Sequence, residues 1–327
     1  MKILETNFND DELKAINSVL KDGNIGFGAN VFKFETAFKS FSNKEFNIAV
    51  NSASAAAFMI FAYLKECYGT CDVYTTSLAF TSPAWAAKHF GHNLIWIDVN
   101  DSLLFNCNDY LKKRINNNNV KVVMPILYGG VSTIDNWELY GDEIVVVDSA
   151  HCITPTIKND FVFFSFHPTK PVCTSDGGMI STDMESANEY FRSYRNFGRE
   201  VNENLYDITQ EGFKFYMNNL NATIGLISLS NYHKNLEIKK ENYIFLKNKF
   251  KHKLLNHDNN SSYYFATLIT DNADELNKNF NLAKHYPLLH KTKYYYNDEL
   301  INTELLYSKI VNLPLYDLDI YNSRSWG

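Results

Sequence analysis

Long hydrophobic runs are missing from this chain of 327 residues, and so is any excess of positive charge: 31 Lys and Arg stand against 37 Asp and Glu, a formal net charge of -6. Without a basic footprint there is no electrostatic case for nucleic acid or an anionic membrane as partner. No segment reaches the apolar length of a membrane span. The N-terminal stretch MKILETNFNDDELKAINSVL turns charged and helical at once, unlike a secretory signal. These absences lead us to expect a cytoplasmic protein whose partners are small and soluble. Cysteine is also scarce and odd in number. Cys67, Cys71, Cys107, Cys152 and Cys173 are mostly scattered, which fits reduced thiols better than a disulfide framework. Cys67 and Cys71 have no second ligand pair nearby, so no zinc site and no metal are expected.

What is present is enough apolar material, 45% of residues, for one large domain and a small one. Short runs rich in Val, Ile and Phe alternate with helical patterns from about residue 47 to 182, the signature of a mainly parallel sheet with helices on both faces. The spacing predicts seven strands, at 46–50, 72–76, 93–98, 120–125, 143–147, 161–165 and 178–182. Helices are expected at 54–67, 82–90, 108–115 and 184–196, then at 219–232 and, as a separate polar helix, at 236–250. Asn116 to Asn119 reads as a solvated turn. A large α/β domain with an N-terminal arm is therefore expected over 1–235, and a small, shortened α+β domain over 236–327.

The chemistry concentrates in DSAHCITPTIKNDFVFFSFHPTKPVCTSDGG, residues 148–178. Asp148 closes the apolar strand EIVVV, at the carboxyl edge where open α/β sheets bind ligands. Ser165 ends the next strand, and Lys170 follows in a loop closed by Gly177 and Gly178. Pyridoxal phosphate requires this mixture: a lysine amine for covalent attachment, an acid that keeps the ring nitrogen protonated, and donors for the phosphate. Asp148 supplies the acid, Lys170 the amine and Ser165 a phosphate contact, while His151 is placed to donate to the cofactor's phenolic oxygen. Two weaker elements belong to the same edge. In VNSASAAAF, Ala53 and Ser54 open a helix whose N-terminus suits an anion. In SLAFTSP, Phe80 can stack on a flat ring. Taken singly, each has an ordinary reading: Asp148 as a turn former, Lys170 as a surface lysine, His151 and Phe80 as packing, Ser52 to Ser54 as a helix cap.

Together the segments resemble the DegT/DnrJ/EryC1/StrS family of sugar-nucleotide aminotransferases. The likeness rests on GFGANVFKFETAF, VNSASAAA, LAF, LYGG, DSAHC, FSFHPTKPVCTSDGG, YMNNLNATIGL, HYPLLHKTKYY and LPLY, in that order along the chain. It implies the fold-type-I pyridoxal-phosphate transferase architecture and a homodimer with each active site at the subunit interface. It also implies glutamate as amino donor and a nucleotide-linked keto sugar as acceptor, in aminosugar or surface-polysaccharide biosynthesis. A branch of the family that removes oxygen instead of transferring nitrogen has histidine at the position of Lys170, so lysine here favours transamination. Lys214 aligns with the asparagine that commonly reaches the neighbouring subunit's phosphate, and a basic residue can do that by charge. Other departures are Ala53 in place of the turn's glycine, Pro171 after the lysine and Ile126 before LYG. The shortened C-terminal domain leaves open a small phosphorylated ketone as acceptor. A cofactor-binding pseudoenzyme is the third alternative, against which intact Asp148, Ser165 and Lys170 argue.

Overall fold

The structure, a computed structural model, describes residues 10–134, 141–200, 207–250, 254–280, 282, 284, 286–295 and 299–316. Most of the expected N-terminal arm and the last eleven positions of the expected small domain lie outside these. Seven strands form one sheet: β1 (Phe46–Val50), β2 (Asp72–Thr76), β3 (Asn93–Ile97), β4 (Lys121–Met124), β5 (Ile144–Asp148), β6 (Phe161–Ser165) and β7 (Gly178–Thr182). Their order is β1-β7-β6-β5-β4-β2-β3. Only β7 runs antiparallel to its neighbours, β1 and β6. Strands such as IVVVD and FVFFS read as continuous apolar runs because both faces of a parallel sheet are covered.

The first two helices are α1 (Asp10–Asp22) and α2 (Ala29–Ser42), the strand crossovers carry α3 (Ala53–Tyr68), α4 (Thr81–His89) and α5 (Cys107–Lys113), and α6 (Glu185–Tyr194) follows β7. One face of the sheet packs Tyr74, Val123 and Val147 with Phe34 and Phe38 of α2 and Tyr110 of α5. The other packs Val73, Val146 and Phe163 with the apolar side of α3 and with Ala187 and Phe191 of α6. After the sheet come α7 (Asn219–Phe250), the two-stranded antiparallel pair β8 (Ala266–Ile269) and β9 (Ile310–Leu313), and α8 (Ala273–Phe280) and α9 (Ile301–Lys309).

One expectation is corrected. The separate helices at 219–232 and 236–250 are one helix of 32 residues, α7, about 48 Å long at the usual rise. The polar run His233, Lys234, Asn235 interrupts the apolar periodicity yet contains no proline or glycine, so the backbone continues through it. The asparagine-rich turn is exposed at Asn116 to Asn118, as expected, and it has a second role. It folds around the buried Lys121 ammonium, which donates to Asp72 Oδ2 at 3.2 Å, to the carbonyl oxygens of Asn117 and Asn119 at 3.3 and 2.6 Å, and to Asn117 Oδ1. An ammonium inside the fold needs such a cage of oxygens, because desolvating an unpaired one costs on the order of several kcal/mol.

Among the described residues, no helix is long and apolar enough to cross a membrane, and no cluster of His, Cys, Asp or Glu is assembled for a metal ion.

Candidate active site

The doubly wound order brings the carboxyl ends of β1, β2, β5 and β6 to one edge, where the amino end of the antiparallel β7 also starts. Gly178 is the junction, pairing with Val50 of β1 on one side and Ser165 of β6 on the other. A cavity of about 440 Å³ opens there, lined by Ala53, Ser54, Phe80, Asp148, Ser165 and Lys170 among others. Six of the eight residues singled out in the sequence therefore meet in one wall.

Each is positioned by local structure. Ser52 caps α3, its hydroxyl accepting from Ala55 N–H at 3.1 Å. The N–H groups of Ala53 and Ser54, in the first helical turn, have no carbonyl within the helix to reach. They face the cavity at the positive end of the helix dipole. The second glycine of the DGG motif exists for this turn: a Cβ on Gly178 would stand 2.6 Å from Ala53 N and 2.7 Å from Ser52 O. Both are backbone atoms that cannot swing aside. Gly178→Ala is expected to cost about 1–3 kcal/mol in overpacking. It should also weaken cofactor binding by displacing the turn, which a thermal melt together with a cofactor titration would measure.

Asp148 is nearly fully buried, 5% exposed. Burial pushes its carboxyl up to about 6, against the opposing pull of the Ala150 N–H at 3.0 Å and of Lys170. Lys170 sits on a loop cross-tied by Lys170 N–H to His167 O (2.8 Å), Thr174 N–H to Phe166 O (2.9 Å) and Phe166 N–H to Gly177 O (2.9 Å). Burial draws its amine down to about 8, with Asp148 pulling the other way. An acid and an amine whose values converge from 3.8 and 10.5 toward neutrality, on one wall of one cavity, form a proton-handling site. Phe80 stands at the N-cap position of α4, 54% exposed, on the cavity wall.

The remaining two residues are placed differently. His151 is buried behind the wall, and its Nε2 lies 2.9 Å from the hydroxyl of Tyr286, which itself lines the cavity. Its Nδ1 accepts from Gly129 N–H at 3.3 Å. Lys214 does not reach the cavity of its own chain. Its carbonyl accepts from Asn51 Nδ2 at 3.1 Å, fastening this segment behind the phosphate turn, while the side chain is exposed and its ammonium lies 5.8 Å from the Tyr216 ring centre.

Sequence reasoning missed the aromatic side of the site. Tyr264 and Tyr286 come from the segment after α7, and Lys170 Nζ rests over the Tyr264 ring, 4.6 Å from its centre. The LYGG turn ties them in. Gly129 and Gly130 have φ of 71° and 92°, and a Cβ on Gly130 would meet Tyr264 N at 2.7 Å and His151 O at 2.9 Å. Gly129 O accepts from Tyr264 N–H at 3.0 Å. The glycine pair was visible in the sequence, and Tyr286 lay within HYPLLHKTKYY without a role assigned; Tyr264 was not singled out.

The arrangement fits pyridoxal phosphate: an anion cradle, an exposed aromatic, a buried carboxyl and a neutralisable amine stand around one cavity of suitable size. Comparison with known proteins agrees. A profile described as the DegT/DnrJ/EryC1/StrS aminotransferase family matches residues 7–318. The spore coat polysaccharide biosynthesis protein SpsC of Bacillus subtilis is 28% identical over 244 residues, 67% of this chain and 61% of that protein. Helicobacter pylori PseC, an aminotransferase involved in pseudoaminic acid biosynthesis, superposes with a TM-score of 0.88 at 19% identity, covering 98% of this chain and 96% of that one. The PLP form of a putative sugar aminotransferase, Spr1654 of Streptococcus pneumoniae, does so at 0.85 and 19%, covering 98% and 96%.

Proposed function

Because this chain belongs to the DegT/DnrJ/EryC1/StrS aminotransferase family, we propose that it moves an amino group from glutamate to a nucleotide-linked keto sugar, in the building of aminosugars for a surface glycan. It is a pyridoxal-phosphate-dependent aminotransferase. The observation that carries the assignment of roles is the convergence of Asp148 and Lys170 on one cavity behind the α3 turn. SpsC and PseC, with their printed roles in polysaccharide and pseudoaminic acid biosynthesis, support a sugar as acceptor.

When bound, the cofactor supplies an aldehyde that carries the amine nitrogen and a protonated ring that withdraws electrons from the carbon beside it. The protein's own groups do the rest. Lys170 would hold the cofactor through its amine and would be the group that accepts and returns a proton at the substrate carbon. Asp148 holds the proton on the ring nitrogen, and its burial makes that ion pair strong. Ser165 and the N–H groups of Ala53 and Ser54 hold the phosphate. Phe80 would cover one ring face, and His151 would act from behind the wall, through the Tyr286 hydroxyl that it contacts. Lys214, exposed and fastened behind the turn, reaches the phosphate of a second copy in a homodimer. The domain boundary falls inside α7, near residue 235, and the enzyme works in the cytoplasm.

Purified protein given glutamate is expected to release 2-oxoglutarate with nucleotide-linked keto sugars and not with small phosphorylated ketones. Conversion of the small ketones alone would reject the proposed acceptor.

A further inference from the structure

The Lys170 amine has little charge to support it. Among the described residues it makes no ion pair, and its hydrogen bond is a single long one, donated to Tyr286 Oη at 3.5 Å. Its other polar contact is the face of the Tyr264 ring, whose centre lies 4.6 Å from Nζ. That ring is held in place. Tyr264 is 1% exposed. Its N–H donates to Gly129 O at 3.0 Å, and the His151 ring lies against its own, 4.1 Å between centres. Its hydroxyl stands 3.2 Å from Oγ1 of Thr169, the residue before the lysine. The two segments that carry ring and amine are thus tied together beside the contact itself.

We propose that Tyr264 is a positioning residue for Lys170: the face of its ring holds the amine in its protonated form at the cavity wall, between taking a proton and returning it. This rests on Lys170 being the attachment lysine and the base. In that role the amine must carry a proton for a time and then give it back. A carboxylate in contact would hold the ammonium too firmly to release its proton, and a wall of aliphatic groups would not let the ammonium form. An aromatic face lies between these limits. It attracts a cation through the ring's quadrupole and presents no lone pair to take the proton.

Burial raises the Tyr264 phenol above its ordinary range, so the ring is uncharged near neutral pH. The other ionisable groups around the amine are Asp148 from β5, His167 on the lysine's own loop with Asp176 beyond it, and Tyr286 with His151 behind. Burial disfavours the ammonium and Asp148 favours it from a distance. The Tyr264 face adds to that second pull at contact.

The test uses the full chain stripped of cofactor and mixed with pyridoxal phosphate. The rate of covalent attachment is followed across pH by visible absorbance and by the mass of the borohydride-trapped adduct, which reads the amine's own titration and not turnover. In the native protein the rate should rise with a midpoint near the Lys170 value of about 8. Tyr264→Leu, which removes the ring, is expected to lower that midpoint by about one pH unit, so that attachment at pH 7 is about fivefold faster relative to its alkaline plateau. Tyr264→Phe, which keeps the ring and drops the hydroxyl, should stay within about 0.3 unit of the native midpoint. Replacing Tyr264 by pentafluorophenylalanine, which keeps the shape of the ring and reverses the charge of its face, should shift the midpoint as leucine does, and it serves if the leucine variant does not fold. A purely structural role for Tyr264 would change the plateau without this pattern. A midpoint that is unchanged or higher once the face is lost overturns the proposal. So does an equal shift in Tyr264→Phe, which would assign the effect to the hydroxyl. Attachment persisting in Lys170→Ala would overturn the premise about the lysine itself, a failure distinct from that of Tyr264.

Discussion

Lys170→Ala is expected to leave a folded protein that binds pyridoxal phosphate without a covalent bond, with no borohydride-trappable adduct, and with amino transfer at least about 10⁴-fold below the native rate. Two losses combine. In the proposed mechanism the amine is both the attachment point and the base that moves the proton, and among the described residues no other lysine lines the cavity. Folding should survive because the loop is held by backbone bonds, from Lys170 N–H to His167 O and from Phe166 N–H to Gly177 O, that alanine retains. Removing a partly buried amine whose charge is disfavoured by burial also removes a desolvation cost. The variant should therefore melt at or above the native temperature when both are free of cofactor. A single-turnover assay with glutamate, read beside the melt, checks both halves; a residual rate within about tenfold of native would exclude Lys170 as the base.

Asp148→Asn should reduce kcat/KM by about 10²–10³-fold while leaving covalent attachment intact. The carboxylate is the charge that holds a proton on the ring nitrogen, and an amide of the same shape leaves that nitrogen without its counter-ion. Since the carboxyl sits near 6, it remains ionised in the native enzyme at neutral pH and is protonated below that value. Native activity should accordingly fall on the acid side of about pH 6, and the Asn variant should lack that limb. An acid limb retained in the variant would assign the titration to another group, His167 being the nearest candidate along the loop.

Much of this was legible because burial on both faces of the sheet writes each strand as an uninterrupted apolar run. All seven strands lie within one or two residues of where those runs place them. Asp148, Ser165 and Lys170 could be linked because residues at the carboxyl ends of parallel strands share an edge, so position along the chain translates into position in space. Tyr264 and Tyr286 had no such translation. They lie more than 90 residues beyond Lys170 in the chain, among 21 tyrosines, and meet the site through contacts that chain position does not reveal: Tyr264 with Gly129 and Thr169, and Tyr286 with His151. The lone antiparallel direction of β7 was hidden as well, since a run buried on both faces reads the same either way. Lys121 illustrates the limit for polar sequence: a string of asparagines looks like solvent until the ammonium that it surrounds is seen.

The continuous helix α7 has a consequence for inheritance rather than for chemistry. Leu236, Tyr243 and Leu246 on its second half share one hydrophobic cluster with Leu268 and Val311 of the small sheet and with Val123 and Val147 of the large one. A core joined in this way gives up its parts together, so a cavity opened at Leu246 or Val311 is felt by the whole chain at about 2–5 kcal/mol. In a cell, a variant at these positions would be seen as scarcity of enzyme, cleared by proteolysis before it could work, while each surviving molecule kept its native selectivity.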